Sequence, residues 1–177
     1  QQHTGTPAEV LVKPGDEVRF GQRIGEARGF ISAHIHSPAS GKVKSVGAFP
    51  HPLGGRVESV VIETSDGTDE PGPPDAESWE KLPSEELKEA VREAGIVGMG
   101  GAAFPSHVKL SPPRNKPIDT IIANGAECEP YVTCDHRLMV ERPADVVGGL
   151  RIVMRILGCD RAYIAVESNK PDAIEAM

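Results

Sequence analysis

Aromatic residues are scarce in this chain of 177 residues: one Trp, two Tyr and four Phe make up 4% of it. A core must therefore be assembled mainly from Val, Ile, Leu and Ala. Cysteine is equally sparse. Cys128, Cys134 and Cys159 are an odd number at unpatterned spacing, which argues against a disulfide-stapled fold and for reduced thiols. No apolar run approaches the ~18 residues that a bilayer-spanning helix requires, and no signal peptide is visible. Bases are in deficit: 19 Lys and Arg against 26 Asp and Glu give a net charge of −7, which disfavours a general nucleic-acid binder.

Glycine and proline, by contrast, are abundant, at 19 and 16 residues. The glycines have no three-residue period, so the chain is not collagen-like. Apolar runs such as Ile118–Ala123, set between turn residues, argue against full disorder. The surplus instead marks tight turns, or loops where backbone must approach a ligand closely. Opening at Gln1 and stopping at Met177 just after a helix start, the chain reads as a piece of something longer.

Residues 8–64 show no helical period. Short strands are expected over Ala8–Val12, Gln22–Ala27, Ile31–His36, Lys42–Val46 and Arg56–Thr64. They are separated by Pro14-Gly15-Asp16, Pro38-Ala39-Ser40-Gly41 and Leu53-Gly54-Gly55. From Ser65 to Glu80 there are six acids and no base, around Pro71-Gly72-Pro73-Pro74, which is a linker composition. Leu87, Ala90, Val91 and Ala94 then follow helical spacing, with Ser84 placed to cap the start and Gly95 the end. Ile118–Ala123 suits a strand buried on both faces. Pro143 opens a helix that Gly158 closes, and Ala162–Val166 supplies another strand, so the order is that of a βαβ unit. The expected domains are a β module over 1–67, an acidic Pro/Gly linker over 68–80, and over 81–177 the truncated beginning of an α/β domain.

Two segments invite a chemical reading. In Gly95-Ile96-Val97-Gly98-Met99-Gly100-Gly101-Ala102-Ala103-Phe104-Pro105, the glycines at 98, 100 and 101 remove Cβ atoms that would hold backbone N–H groups away from a planar or phosphorylated ligand. The loop is neither a Rossmann fingerprint, since it follows a helix, nor a Walker A loop, since Gly-Lys-Ser/Thr is missing. A flexible hinge is the bland alternative. Asn124-Gly125-Ala126-Glu127-Cys128-Glu129-Pro130 follows an expected strand directly, where open α/β sheets bind ligands. Its amide and carboxylates suit the polar edge of a flavin or ribose hydroxyls, although a solvated acidic turn has the same composition. Cys128, Cys134 and His136 lack metal-ligand spacing, and no metal is expected there. His34 and His36 should share one strand face, as surface or packing residues.

Val12-Lys13-Pro14-Gly15-Asp16-Glu17-Val18, Gly21-Gln22-Arg23-Ile24-Gly25 and Ser37-Pro38-Ala39-Ser40-Gly41-Lys42-Val43 resemble the lipoyl/biotinyl-carrier β-sandwich, or barrel-sandwich hybrid. In a true carrier, a lysine at the central hairpin tip takes the prosthetic group. The tip here, Arg28-Gly29-Phe30-Ile31, holds none, and Lys42 lies outside it, so a structural or docking module is expected.

Gly98–Pro105 with Lys109, followed by Asn124–Pro130, resembles the flavin-binding subunit of respiratory complex I, which carries the same glycine loop and an Asn-Ala-Asp-Glu-x-Glu-Pro turn. The resemblance to the RnfC family of the Rnf ion-translocating oxidoreductases is closer. It extends from Gln1-Gln2-His3 through Thr133-Cys134-Asp135-His136-Arg137 to Glu167–Pro171.

The resemblance implies an α+β multi-domain chain: a barrel-sandwich hybrid followed by a truncated Rossmann-like flavin/NADH-binding domain. It implies an NADH-oxidising electron-entry subunit, passing hydride from NADH to FMN and electrons to 4Fe-4S clusters that lie downstream of this piece. Gly98, Gly100 and Gly101 would line the flavin, with Lys109 at its polar edge or phosphate. Phe104 would stack near the nicotinamide. Asn124 and Glu127 would hydrogen-bond flavin or ribitol, Glu129 would contact the nucleotide, and Glu167 and Asn169 would continue the pocket. No side chain need act as an acid or base. Met99, Ala103 and Ala126 replace an arginine, a glycine and an aspartate of complex I, and no role is carried to them.

The implied partners are other subunits of a membrane electron-transport complex, with the chain peripheral on the cytoplasmic face of the bacterial inner membrane. The isolated piece is expected to be inactive. Competing readings are a scaffold that docks without flavin, and a soluble flavoprotein such as a corrinoid reductase sharing the loop. Two Cys-x2-Cys-x2-Cys-x3-Cys-Pro runs downstream would favour the electron-transfer reading. The tip without lysine makes its own prediction: intact-mass spectrometry should match the bare sequence, and a lipoyl or biotinyl adduct would contradict it.

Overall fold

The computed structural model describes residues 2–52, 54–64, 79–113 and 115–177. Leu53 and most of the expected linker, residues 65–78, lie outside them. The chain forms two compact units: Gln1–Lys81 with Lys88–Lys109, and Leu82–Leu87 with Leu110–Met177.

In the first unit, β1 (Glu9–Val10), β3 (Arg23–Glu26) and β4 (Ile35–His36) form one antiparallel sheet. A second contains β2 (Glu17–Val18), β5 (Gly41–Pro50) and β6 (Arg56–Thr64). Alternation along β5 turns Gly41 and Val43 inward and Lys42 and Lys44 outward, the period of a pleated strand. Val43 joins Val18 and Ile24 in a core flanked by Val12, Ile35, Val46, Val60 and Ile62. These are aliphatic residues, as the lack of aromatics requires.

The strands differ from expectation where side chains compete with the ladder. The expected strand Ile31–His36 shrinks to Ile35–His36. The reason is local: Ser32 Oγ accepts the Arg28 N–H and donates to the Thr6 carbonyl, while His34 Nδ1 accepts the Ala27 N–H. His34 is therefore off the strand and buried, a packing residue. β5 outgrows Lys42–Val46 because β6 pairs with it from Gly41↔Thr64 to Pro50↔Arg56. β2 escapes a periodicity argument because it has only two residues between turns.

A 3-10 turn, Trp79–Lys81, leads to α1 (Ser84–Glu93). The Ser84 hydroxyl does not cap this helix. It donates to the Arg155 carbonyl, and the first helical bond runs from Leu87 N–H to Pro83. The helix stops at Gly95, whose φ of +65° is left-handed, with bonds from Gly95 N–H to Arg92 O and from Ile96 N–H to Val91 O.

Residues 88–109, grouped by sequence with the second domain, pack instead on the β module. Glu93 pairs with Arg23, which holds its carboxyl below the usual range. His107 donates through Nε2 to the Phe30 carbonyl at 3.2 Å, and the two rings meet edge to face. A Cβ on Gly95 would stand 2.3 Å from the His34 carbonyl oxygen, so only glycine lets the chain pass there.

In the second unit, β7 (Ile121–Asn124) and β8 (Ala162–Ala165) pair in parallel, Ile121↔Ala162 through Asn124↔Ala165. Between them in sequence run α3 (Cys134–Glu141) and α4 (Pro143–Leu157), and α5 (Pro171–Ala176) follows. Pro143 at the start and Gly158 in a left-handed cap delimit α4 as expected. The strands are not buried on both faces. Register partners Ile122 and Tyr163 are 65% and 61% exposed, so one face of this two-stranded sheet is open.

Two left-handed glycines of the first unit separate conformation from crowding. Gly21, at φ +73°, has nothing within 4 Å of a built Cβ, so Gly21→Ala should cost about 1 kcal/mol. Gly95→Ala adds a backbone collision and should cost on the order of 3 kcal/mol. Urea unfolding of the two variants checks this, and equal losses would contradict the close approach.

Candidate functional site

The glycine loop closes on itself through a Val97–Pro105 bridge, a Gly98 N–H bond to Phe104 O (2.9 Å) and a Ser106 N–H bond to Ile96 O (2.9 Å). Met99 is 90% exposed at its outer end. Gly101 has φ +145° and Ala103 +49°, both unfavourable for residues carrying a Cβ. Gly98 and Gly100 have ordinary backbone angles. A Cβ on Gly98 would make only ordinary contacts with Lys109 Nζ (3.7 Å) and Phe104 O (3.8 Å), and one on Gly100 would meet nothing within 4 Å. Packing among the described residues thus does not demand these two glycines. What they leave is open space before exposed backbone, the form a ligand cradle requires.

α2 (Ser106–Lys109) ends the segment. Lys109 Nζ lies 6.0 Å from the Phe104 ring centroid, a cation–π contact. The first unit therefore gathers Gly98, Phe104 and Lys109, with Gly100 and Gly101 further out on the loop.

The acidic turn lies at the C-terminal end of β7. Asn124 Oδ1 accepts the Ala126 N–H (3.2 Å), fixing the turn while its amide nitrogen retains two donors. Gly125 is required by packing: a Cβ there would stand 2.8 Å from Met139 Sδ and 3.1 Å from Ala165 O.

Glu127 is the most engaged residue of the turn, its side chain only 3% exposed. Oε1 accepts the Asp135 N–H (2.9 Å) and the Cys134 thiol (3.4 Å). Oε2 accepts the His136 N–H (3.1 Å) and Lys170 Nζ (3.3 Å). The carboxylate thus caps α3 from outside the helix, replacing a local cap: Thr133 at the cap position makes no side-chain bond. Burial pushes its pKa up, but the two N–H groups, the thiol and the ammonium outweigh this and hold it at about 2. Reciprocally, donation to Glu127, together with burial, raises the Cys134 pKa and keeps the thiol protonated. Oxygen and sulfur atoms of Glu127, Cys134 and Asp135 lie within 4.8 Å of one another, a trio different from the Cys128, Cys134 and His136 considered from sequence.

Glu129 and Asn169 are exposed. Glu167 reaches Lys170 Nζ at 3.5 Å, so Lys170 ties it to Glu127. His136 Nε2 meets both Asp172 oxygens at 2.9 and 3.0 Å, depressing the Asp172 pKa. The second unit thus gathers Asn124, Glu127, Glu129, Glu167 and Asn169 around the ends of two parallel strands. Sequence reasoning assigned no role to Lys170, His136 or Asp172. The sequence signal for Lys170 was a single cation amid acids just before the proline that opens α5. Tyr131, after the turn, is fully exposed at φ +67°, where a bulky residue is an outlier.

Because the Glu127 pKa is lower folded than its ordinary 4.5, its contribution to stability is complete above about pH 4.5 and is lost as pH falls toward 2. Glu127→Gln should lower stability at neutral pH and flatten the acid limb of a stability–pH curve. An unchanged acid limb would contradict the cap. Tyr131→Gly should raise stability by about 1 kcal/mol by relieving backbone strain, and a fall in thermal midpoint would contradict the strain.

A family model described as the RnfC barrel sandwich hybrid domain matches residues 1–67, and one described as the Nuo51 FMN-binding domain matches 91–177. The RnfC-type component of the proton-translocating ferredoxin:NAD(+) oxidoreductase complex of Clostridium ljungdahlii is 50% identical over all of this chain and 39% of its own length. The corresponding component of the Na(+)-translocating ferredoxin:NAD(+) oxidoreductase complex of Acetobacterium woodii is 49% identical over 99% of this chain and 40% of its own length. That of the ion-translocating oxidoreductase complex of Rhodobacter capsulatus is 50% identical over 100% and 34%. The chain thus spans about two fifths or less of the relatives it matches.

Proposed function

We propose, since this chain belongs to the RnfC family, that it forms part of the NADH-oxidising electron-entry subunit of a membrane-associated ion-translocating oxidoreductase. The observation that carries the proposal is the glycine loop, whose open cradle at Gly100 lies next to Gly101 in a segment matched by an FMN-binding family model. The residues fit such a group: exposed backbone without Cβ atoms, a lysine and an aromatic ring nearby.

In this reading Gly98, Gly100 and Gly101 admit the flavin to the loop backbone. Lys109 supplies a positive charge for its phosphate or polar edge, and Phe104 a ring against which the nicotinamide stacks. Asn124 donates from its amide to flavin or ribitol, and Glu129 accepts from nucleotide hydroxyls. Glu167 and Asn169 continue the same polar surface. Glu127 serves mainly by holding the turn, because each of its oxygens already accepts two donors. FMN, when bound, supplies two-electron acceptance from NADH and one-electron delivery to 4Fe-4S clusters elsewhere in the full-length protein. The α/β part is the opening of a Rossmann-like domain, of which β7 and β8 are the first parallel pair.

Other subunits of the complex are the proposed partners, with this chain peripheral on the cytoplasmic face of the bacterial inner membrane. Among the described residues no helix is long and apolar enough to cross a membrane. Alone, the 177 residues should bind FMN weakly or not at all and be inactive.

The test is flavin retention by the full-length protein. Wild type should hold FMN that NADH bleaches, and Gly100→Val should fill the cradle and release the flavin. Unchanged flavin content in that variant would contradict the assignment of the loop.

A further inference from the structure

The tip of the β3–β4 connection, where carrier modules present a lysine, is turned to another use. Its backbone holds the N-terminal segment: Thr6 N–H bonds to Ile31 O at 2.9 Å, and Ser32 Oγ donates to Thr6 O at 2.8 Å. Gly5, at φ +105°, lies so close that a Cβ would stand 2.1 Å from Ile31 O. One residue before Thr4, the buried His3 accepts the Ala33 N–H at Nε2 (3.3 Å) and donates from Nδ1 to Thr4 O (3.2 Å). Thr4 is thus fixed from both sides against the tip.

From that position Thr4 reaches the glycine loop twice. Its N–H bonds to Ala103 O at 3.2 Å, and its hydroxyl donates to Ala102 O. These are the carbonyls on either side of the Ala103 backbone N–Cα bond, and Ala103 sits at φ +49°, where a Cβ is disfavoured. Ala103 also occupies a position where the complex I flavin subunit has glycine. An alanine stays in this conformation only if its surroundings hold it there.

We infer that Thr4 is a positioning residue which clamps the glycine loop in its left-handed conformation, making the β module a brace for the flavin-binding backbone. His107 supports the same arrangement from the other end of the loop through its bond to Phe30 O. The inference rests on the assignment of the loop to flavin, but the clamp has a readout of its own.

The test uses the full-length protein and two measurements: amide hydrogen exchange over Gly98–Phe104, and FMN affinity from flavin fluorescence. Thr4→Val keeps the shape and removes the hydroxyl donor. It should speed exchange in the loop and weaken FMN binding roughly fivefold, the equivalent of about 1 kcal/mol for one hydrogen bond. Thr4→Ser keeps the donor and should match wild type in both. Ala103→Gly removes the need for the clamp, so adding it to Thr4→Val should restore most of the affinity, a non-additivity that generic destabilisation would not produce. Unchanged loop exchange in Thr4→Val overturns the clamp, as does a double variant no better than Thr4→Val. Faster exchange with unchanged FMN affinity supports the clamp and instead removes the flavin from this loop.

Discussion

At Gly95 the chain passes so close to the His34 carbonyl that a Cβ would stand 2.3 Å from its oxygen, and the first unit is organised around that approach. It ends α1 and delivers the next residues onto the β module rather than away from it. The Arg23–Glu93 pair lies two residues before it and the His107–Phe30 contact beyond it. The glycine loop spans the interval between these fixed points. A loop rich in glycine has high conformational entropy, and a ligand that needs one arrangement of its backbone would otherwise have to supply the ordering. Anchoring both ends on a β-sandwich reduces that cost before any ligand arrives.

The second unit solves a similar problem with charge. Its turn carries Glu127 and Glu129 close together, which repel one another unless compensated. One of them is compensated fully: Glu127 takes two helix N–H groups, a thiol and an ammonium. That leaves Asn124 and Glu129 as the groups still presented outward. The same arrangement explains why α3 starts where it does, although Thr133 contributes no cap. His34 poses a related question. Its Nδ1 accepts the Ala27 N–H, so the neutral ring carries its proton on Nε2. That nitrogen has no hydrogen-bond partner among the described residues, Glu93 being 3.6 Å away.

Much of this was legible in the sequence because it is written locally. Pro143 and Gly158 mark both ends of α4, alternation marks β5 and β6, and the two motifs carry the family. What was not legible depends on partners distant in sequence. Ser84 looks like a cap but bonds Arg155, 71 positions away. Glu127 looks like a ligand but caps a helix seven residues on, with help from Lys170 43 positions away. Residues 88–109 follow an acidic linker and so read as part of the second domain, whereas Gly95, Glu93 and His107 find their contacts on the β module. Ile118–Ala123 reads as doubly buried from its composition, yet Ile122 faces an open side. Ala103 and Tyr131, the non-glycine residues with left-handed backbone among those described, fall one in each motif region, which no propensity argument would indicate.

The central claim is that the glycine loop folds as one with the β module. Native-state hydrogen exchange of the full-length protein at increasing denaturant tests it directly. The amides of Gly98 and Ser106, bonded across the neck of the loop, should exchange in the same opening event as those of Ser37 and Val43 in the module, with one free energy and one denaturant slope. Exchange of Gly98 and Ser106 instead in step with Ile121 and Gly125 of the second unit would contradict it.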